Sequence, residues 1–252
     1  AVYAIVMIHR RNKIRIKYFG SVVKSMLRLG FVYAMVLFVM QLNYRIDILL
    51  MERLSTFSEV GYYSLGVSIA EMLWQLPIAM GIVIMSRSAN VEDEVKLDKD
   101  IARMIRVSFL IAFIGAVIIF FIAPYIIPLL YGKDFIPSIE ILQLILPGIL
   151  LFIIFRLINS RFAGMGKPQL TIYIFGPALV INIILNYFWI PEYGGLGAAM
   201  ATNVSYILGT LASVIIYSYT SKMSIIRILA YKKEDFNFVA TIFKRTFSGW
   251  KK

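Results

Sequence analysis

Four polar side chains recur along one otherwise apolar stretch of the sequence. Ser64, Ser68, Glu71 and Gln75 follow one another at steps of four, three and four residues, which places them on one stripe of a helix. A carboxylate such as Glu71 is costly in lipid unless it meets water, a cation or another helix. Two interpretations stay open: Glu71 lines a transport path, or it is a protonated acid that joins two helices.

Two arginines and an aspartate lie in other apolar stretches. Arg45 and Asp47 are two residues apart and point in different directions on a helix, so each needs a partner elsewhere, unless Arg45 simply extends to the membrane surface. Arg156 lies close enough to a stretch end for its long side chain to reach lipid headgroups. Alternatively, its guanidinium binds a phosphate through two parallel hydrogen bonds.

Two asparagines and a series of small residues mark the last apolar stretches. Asn182 and Asn186 share a helix face, where they either line a cavity and bond sugar hydroxyls or bond a neighbouring helix. Small side chains recur further on at helical spacing, which favours close helix packing over chemistry. They are Ala198, Thr202, Ser205, Gly209 and Ala212.

The elements that position these residues are membrane helices. The chain has 252 residues, of which 60% are apolar, and its mean hydropathy is +0.80. About 20 apolar residues cross the hydrocarbon core, and spans in lipid must be helical because their backbone groups find no other partner. Six runs meet this length, at residues 24–54, 60–86, 101–131, 138–162, 169–190 and 195–219.

The basic residues divide unevenly between the two sides of these spans. All but Arg45, Arg53 and Lys133 of the 26 lysines and arginines fall on one side, which the positive-inside rule makes cytoplasmic. That side holds loops 9–23, 87–100 and 163–168 and the C-terminal tail. The net charge of +12 therefore points to anionic lipid headgroups at a plasma membrane, and not to nucleic acid.

The remaining segments indicate one membrane lobe and no catalysis. Residues 1–8 resemble the end of a truncated upstream span, residues 9–23 a basic loop, 24–220 a six-helix membrane lobe, and 221–252 a basic tail. The tail forms an amphipathic helix or stays partly disordered. The sequence has no cysteine and one histidine, and no nucleophile, metal-ligand or phosphate-loop pattern is visible. We therefore expect neither an enzyme nor a metal site.

Several short motifs resemble the second half of bacterial and archaeal O-antigen and polysaccharide flippases. They cover most of residues 43–206. Each motif alone is a weak signal, but their order and spacing together are fairly specific to this family. These are Val60-Gly-Tyr-Tyr-Ser64, Ala70-Glu71-Met-Leu-Trp74 with Pro77, Leu130-Tyr-Gly132-Lys-Asp-Phe135, Ala163-Gly164-Met-Gly166-Lys167-Pro168, Asn182-Ile-Ile-Leu-Asn186 and Ile190-Pro191-Glu-Tyr193-Gly194 into Gly197-Ala198-Ala199.

This resemblance places the chain in the multidrug/oligosaccharidyl-lipid/polysaccharide exporter superfamily and implies two six-helix lobes around a central cavity. The chain would be the C-terminal lobe, and its partner lobe would precede it. The implied activity is alternating access that moves a polyprenyl-pyrophosphate-linked oligosaccharide outward, driven by protons or sodium. On this hypothesis Arg45 and Arg156 contact anionic groups, and Asp47 and Glu71 serve the coupling ion or act as counter-charges. Gln75, Asn182 and Asn186 would contact sugar.

Two other functions stay open at this stage. A multidrug or cation antiporter of the same superfamily would need a more acidic cleft than the mixed charges found here. A membrane-embedded polysaccharide polymerase or glycosyltransferase would need larger loops outside the membrane.

Overall fold

The computed structural model describes residues 19–232 and 235–236. All regular structure in these residues is helical, as the sequence predicts. Short 3₁₀ turns lie at Met72–Trp74 and Lys133–Phe135. The helices are α1 (Gly20–Leu54), α2 (Phe57–Glu71), α3 (Gln75–Ala89), α4 (Glu94–Tyr131), α5 (Pro137–Gly164), α6 (Gln169–Ser221) and α7 (Ile225–Leu229). The predicted stub 1–8, most of loop 9–23 and most of the tail helix lie outside the described residues.

The predicted spans correspond to these helices. Within residues 19–232, five helical segments are long and apolar enough to cross a membrane, with α2, its 3₁₀ turn and α3 forming one of them. The longest, α6, breaks at Gly194, whose φ of 54° and ψ of −130° are not helical. Each arm of α6, residues 169–193 and 195–221, exceeds the ~20 residues that a span requires. The predicted fifth and sixth spans are therefore the two arms of this helix.

Helix ends are fixed by local chemistry. The side chains of Thr56 and Asp93 accept hydrogen bonds from backbone N–H groups in the first turns of α2 and α4, as N-cap residues do. Gly132 ends α4 with a φ of 92°. At the break in α6, the Glu59 carboxylate accepts the Gly195 N–H at 2.8 Å, which places a negative charge at the start of the second arm.

The two ends of the bundle differ in character. Gly164 at the end of α5 packs against Met85 and Ser88 near the end of α3, so the turns at 90–93 and 165–168 lie at one end, which we call the basic end. Gly194 contacts Glu59 at the opposite end. Helix α5 is the centre of the lobe, since it packs against α2, α3, α4 and α6.

An asparagine from α6 enters the backbone of α5 where a proline interrupts it. Pro147 has no N–H to donate. One residue later, the Gly148 N–H donates to Asn203 Oδ1 at 2.9 Å. The Asn203 Nδ2 donates in turn to the Leu144 carbonyl at 2.7 Å. One side chain thus satisfies two backbone groups that α5 would otherwise pair with each other, as polar groups in a membrane require.

A second break interrupts the span that carries Glu71. The 3₁₀ turn Met72–Trp74 ends three residues before the buried Pro77, whose ring excludes the hydrogen bond to Leu73 and displaces the carbonyl of that residue. The Trp74 Nε1–H donates to the Ile149 carbonyl at 3.2 Å. The break is therefore held against α5.

We predict that Gly148→Ala destabilises the protein by about 2 kcal/mol, because the new Cβ would overlap Asn203 Oδ1 and break both amide hydrogen bonds. The thermal unfolding midpoint of the purified full-length protein in detergent measures this. Gly61→Ala is the matched control, since no atom lies within 4 Å of its new Cβ and alanine is the better helix former. Equal midpoints for the two variants would contradict the role assigned to Asn203.

Candidate functional site

A buried carboxylate lies at the junction of three helices. Asp47 of α1 is 2% exposed. Its Oδ2 accepts hydrogen bonds from the Tyr63 hydroxyl of α2 at 3.0 Å and the Thr202 hydroxyl of α6 at 2.8 Å. The Asn186 amide of α6 donates to Oδ1. All three donors are neutral, and none of the ion pairs within residues 19–232 and 235–236 includes Asp47.

Asparagine amides that are only partly hydrogen-bonded within the described residues lie in the same cluster as this carboxylate. Asn43 Nδ2 donates to the Ser205 hydroxyl at 3.3 Å, and Asn186 Nδ2 donates to Asn182 Oδ1 at 3.0 Å. The buried Oδ1 atoms of Asn43 and Asn186 have no donor within the described residues. Carboxylate, amide and hydroxyl oxygens are the ligands that hard cations prefer. The described residues contain no group of three or more His, Cys, Asp and Glu that could hold a metal, so such a site would depend on neutral oxygens.

The small-residue seam of α6 does more than pack. Ala198, Thr202, Ser205 and Gly209 are all buried, as a packing seam requires. However, Thr202 donates to Asp47 and Ser205 accepts from Asn43. The seam is thus closely packed as predicted, and these two hydroxyls in addition form hydrogen bonds with polar groups of α1.

A second site lies on α5, where an arginine is held against aromatic rings. The Arg156 guanidinium lies 4.7 Å from the centroid of the Trp74 ring and donates to the Tyr44 hydroxyl at 3.1 Å. Contacts with aromatic rings and a neutral hydroxyl stabilise the positively charged guanidinium but add no negative charge to balance it. None of the ion pairs of the described chain includes Arg156. Its charge therefore remains available to an anion.

Arg156 borders a groove of about 190 Å³ between α1, α3 and α5. Met40, Pro77, Ile78, Ile82 and Met85 form its apolar wall, whereas Arg156, Asn159 and Ser160 supply polar atoms. A groove with an apolar wall and polar atoms on the other side can bind part of an amphiphilic molecule.

The polar stripe around Glu71 faces the lobe surface near this groove. Ser68 and Gln75 are exposed, whereas Ser64 and Glu71 are half-buried. Glu71 lies within electrostatic range of Arg45 and Arg156, and Arg45 is exposed. The interpretation of Glu71 as an acid enclosed between two helices thus finds no support in this conformation.

The two sites share neighbouring residues on two helices. On α1, Asn43 contacts Ser205 and the adjacent Tyr44 contacts Arg156. On α6, Tyr206 follows Ser205 and stacks on Phe152 of α5, 4.2 Å between ring centroids, and Phe152 contacts Trp74 in turn. A displacement of α1 against α6 would therefore reach both sites.

The structure divides the residues selected from the sequence into two groups. Asp47, Asn182 and Asn186 meet in the buried cluster. Arg156 lines the groove, Glu71 lies within electrostatic range of Arg45 and Arg156, and Gln75 is exposed one turn beyond Glu71. Because Asn182 and Asn186 are fully buried, a sugar does not reach them in this conformation. Sequence reasoning missed Tyr63, Thr202, Trp74 and Tyr44, whose side chains resemble ordinary core residues.

Two buried arginines hold the basic end together. Arg161 of α5, 1% exposed, pairs with Asp98 of α4 at 2.9 Å, and the same carboxylate accepts the Tyr217 hydroxyl of α6 at 3.0 Å. Arg106 of α4 pairs with Asp235 at 2.7 Å and donates to the Arg227 and Ile228 carbonyls at 3.1 Å. The segment after α6 is thereby attached to α4.

Asp235 is held as a carboxylate by this attachment. Burial alone would raise the pKa of the Asp235 carboxyl, but hydrogen bonds from Arg106 and the Lys232 amide and the charges of Arg106 and Arg103 outweigh it and lower this pKa below its ordinary value.

Comparison with solved structures shows the fold. The chain aligns with "Lipid II flippase MurJ, inward closed conformation" at a TM-score of 0.65 and 18% sequence identity, over 92% of this chain and 54% of that one. The lobe therefore shares the multi-pass, all-helical fold of the matching part of that structure.

Sequence comparison gives the family. A family model described as "Lipid II flippase MurJ" matches residues 1–245, and the chain belongs to this family. The predicted membership of the multidrug/oligosaccharidyl-lipid/polysaccharide superfamily is confirmed.

Curated relatives carry two kinds of names. A Shigella flexneri protein named "Putative O-antigen transporter" is 26% identical over 154 residues, 61% of this chain and 37% of that protein. "Probable multidrug resistance protein NorM" of Oceanobacillus iheyensis is 29% identical over 157 residues, 56% of this chain and 35% of that protein. The NorM protein of Bacillus cereus strain ATCC 14579 is 24% identical over 201 residues, 73% of this chain and 42% of that protein. The chain thus spans about two fifths of each relative.

We predict a pH-dependent contribution of Asp235 to stability. Because its pKa is lowered on folding, the ionised form stabilises the protein above the unfolded pKa of about 3.9, and this contribution is lost as the pH falls through the folded value. The midpoint difference between the original protein and Asp235→Asn should stay constant from neutral pH down to about 4.5 and narrow below about 3.9. Asp134→Asn, which alters an exposed carboxylate, is the control. A difference that widens on acidification would contradict this assignment.

Proposed function

We propose that this chain is one six-helix lobe of a flippase that moves a polyprenyl-pyrophosphate-linked saccharide across the plasma membrane by alternating access. The observation that carries the proposal is Arg156, an arginine without an ion-pair partner in the described chain, held at an amphiphilic groove between membrane helices. Family membership supports the same activity, since the family's name specifies lipid II as a substrate and one relative's name specifies O-antigen.

The substrate side of the proposal rests on charge and shape. Arg156 binds a phosphate oxygen, and Trp74 and Tyr44 keep its guanidinium oriented before the substrate arrives. Arg45 supplies a second positive charge, and Glu71 acts as a counter-charge that offsets one of the two. Gln75 is placed to bond a sugar hydroxyl. The apolar wall formed by Ile78, Ile82 and Met85 accommodates the first isoprenoid units.

The coupling side of the proposal rests on Asp47. A proton or a monovalent cation such as sodium at this carboxylate would neutralise it in the low-dielectric interior. Asn43 and Asn186 Oδ1 lie in the same cluster without donors and would complete the ligand set of a cation. We assign Asn182 and Asn186 to this site in place of the sugar contacts expected from the sequence.

The Asp47 cluster and the Arg156 site are energetically coupled through α1 and α6. When Asp47 is neutralised, its attraction for the Tyr63, Thr202 and Asn186 donors changes, and with it the preferred contact of α1 with α6. Tyr44 and Tyr206 move with those helices and alter the position of Arg156 and its rings. An ion can shift the lobe between two states only by its difference in affinity for them.

The remaining parts of the transporter follow from the same proposal. The positive-inside rule places the basic end in the cytoplasm. Much of α1 is exposed, including Met26, Leu27, Phe31 and Leu37, and a partner lobe of the same protein would cover part of it. No step of this mechanism makes or breaks a covalent bond, so we assign a transport function and not an enzymatic one.

The second candidate is a multidrug or cation antiporter, which the NorM relatives favour. Its cationic substrates would bind Glu71 and be repelled by Arg156. Depletion of the full-length protein separates the two functions. Loss of surface polysaccharide or accumulation of lipid-linked precursors supports the flippase, whereas increased drug sensitivity alone supports the antiporter.

We predict that Arg156→Gln lowers transport of the lipid-linked saccharide about 10- to 100-fold, because hydrogen bonds to charged groups contribute about 1.5–3 kcal/mol. Arg156→Lys should be intermediate, since it keeps the charge but loses the planar fork and the ring stacking. Flipping by full-length protein in liposomes measures this. Lys133→Gln, an exposed cation at the opposite end, is the control. Unchanged flipping by Arg156→Gln would exclude the phosphate contact.

We predict that Asp47→Asn makes flipping independent of the driving ion, because the amide keeps the shape but neither binds a proton nor attracts a cation. Flipping is compared with and without sodium and pH gradients in the same liposomes. Glu140→Gln, an exposed acid on α5, should retain the original dependence. If Asp47→Asn responds to the gradients as the original protein does, the coupling site lies elsewhere.

A further inference from the structure

A second basic surface lies at the basic end, away from the groove of Arg156. It is a cleft of about 490 Å³ between the start of α4, the end of α6 and α7. The cleft is lined by the cations Lys99, Arg106, Lys222, Arg227 and Lys232, and it shares no lining residue with the groove of Arg156.

Four of the five cations in this cleft have no ion-pair partner among the described residues. Arg106 pairs with Asp235, but none of the ion pairs of the described residues includes Lys99, Lys222, Arg227 or Lys232, all of which are exposed. Like charges at short range repel one another. Their convergence on one cleft therefore creates a favourable position for an anion.

One of these cations occupies an unusual backbone conformation. Lys222 follows the last turn of α6 with a φ of 54°, the left-handed position at which glycine usually ends a helix. It is the one residue other than glycine with a positive φ in the described chain. A lysine there carries a steric cost that glycine avoids. This lysine also lines the cleft, so the strained position presents a charge to it.

An apolar hollow adjoins the cleft. It measures about 180 Å³ and is lined by Ile105, Phe109, Leu151, Ile154, Leu229, Tyr231 and Arg106. Arg106 lines both hollows, so they meet at this residue. It is also the last charged residue before the uncharged stretch 107–131 of α4, and such a position corresponds to the level of the lipid headgroups.

We propose that this surface binds an anionic phospholipid, with its phosphate in the basic cleft and part of an acyl chain in the apolar hollow. A free phosphate would fit the cleft alone and would gain nothing from the hollow. Arg106 and Asp235 fix α7 and the segment after it, so that Arg227 and Lys232 face the phosphate together with Lys99 and Lys222.

The test measures lipid binding to the purified full-length protein in a neutral detergent by native mass spectrometry. The probes are dioleoyl phosphatidylglycerol and dioleoyl phosphatidylcholine, with soluble glycerol phosphate as competitor. We expect phosphatidylglycerol to bind more tightly than phosphatidylcholine and to resist displacement by glycerol phosphate. Equal binding of the two lipids would overturn the proposal, and displacement by glycerol phosphate at concentrations comparable to the lipid would assign the cleft to a soluble phosphate.

Two variants and one control locate the site. Lys222→Gly and Arg227→Gln should each weaken phosphatidylglycerol binding about fivefold, the effect of one cation near an anionic headgroup, and leave phosphatidylcholine binding unchanged. Lys222→Gly also relieves the backbone, so its thermal unfolding midpoint should not fall. Lys167→Gln removes an exposed cation of the basic end that does not line the cleft. A loss of the same size in Lys167→Gln would show that surface charge alone attracts the lipid and would overturn the proposal.

Discussion

Neutral donors alone hold the Asp47 carboxylate in the apolar interior, and the arrangement of α1, α2 and α6 depends on these hydrogen bonds. Each bond to a charged group contributes about 1.5–3 kcal/mol, and Tyr63, Thr202 and Asn186 supply three. Removing an ionised group from water costs several kcal/mol in a protein interior. The two quantities are of similar size, so in the proposed coupling a proton or cation at Asp47 would change which helix contact is preferred.

This balance has consequences beyond the cluster because two residues of the cluster are next in sequence to residues of the aromatic group around Arg156. Tyr44 follows Asn43 on α1, and Tyr206 follows Ser205 on α6, so each helix carries one residue of the cluster next to one residue of the aromatic group around Arg156. The rings of Trp74, Phe152 and Tyr206 are in direct contact. A small shift at the Asp47 cluster thus has a packed route to Arg156.

The sequence predicts the spans well because hydropathy and helix-breaking residues are local properties. The break at Gly194 falls at the end of the predicted turn 191–194. The spacing of the Glu71 stripe predicts a common helix face but not whether that face meets solvent or another helix. The buried cluster was only half predictable. Asp47, Asn182 and Asn186 are conspicuous polar residues in apolar runs, but Thr202 lies 155 residues from Asp47 and follows a pattern typical of packing. The amide bridge of Asn203 is equally hard to predict from the sequence. No local pattern distinguishes an asparagine whose side chain replaces a backbone hydrogen bond in another helix.

The positions of the buried ion pairs indicate which parts of the lobe can rearrange and which cannot. At the basic end, Arg161 with Asp98 and Arg106 with Asp235 are buried, paired and further hydrogen-bonded, and separating either pair would leave a charge in the interior. Nearer the middle, the 3₁₀ turn before Pro77, the Asn203 bridge at Pro147 and the neutral cluster around Asp47 hold the helices by hydrogen bonds that can exchange partners. We therefore expect the basic ends of α4, α5 and α6 to move as one unit, with rearrangement concentrated where α1, α2 and α6 meet.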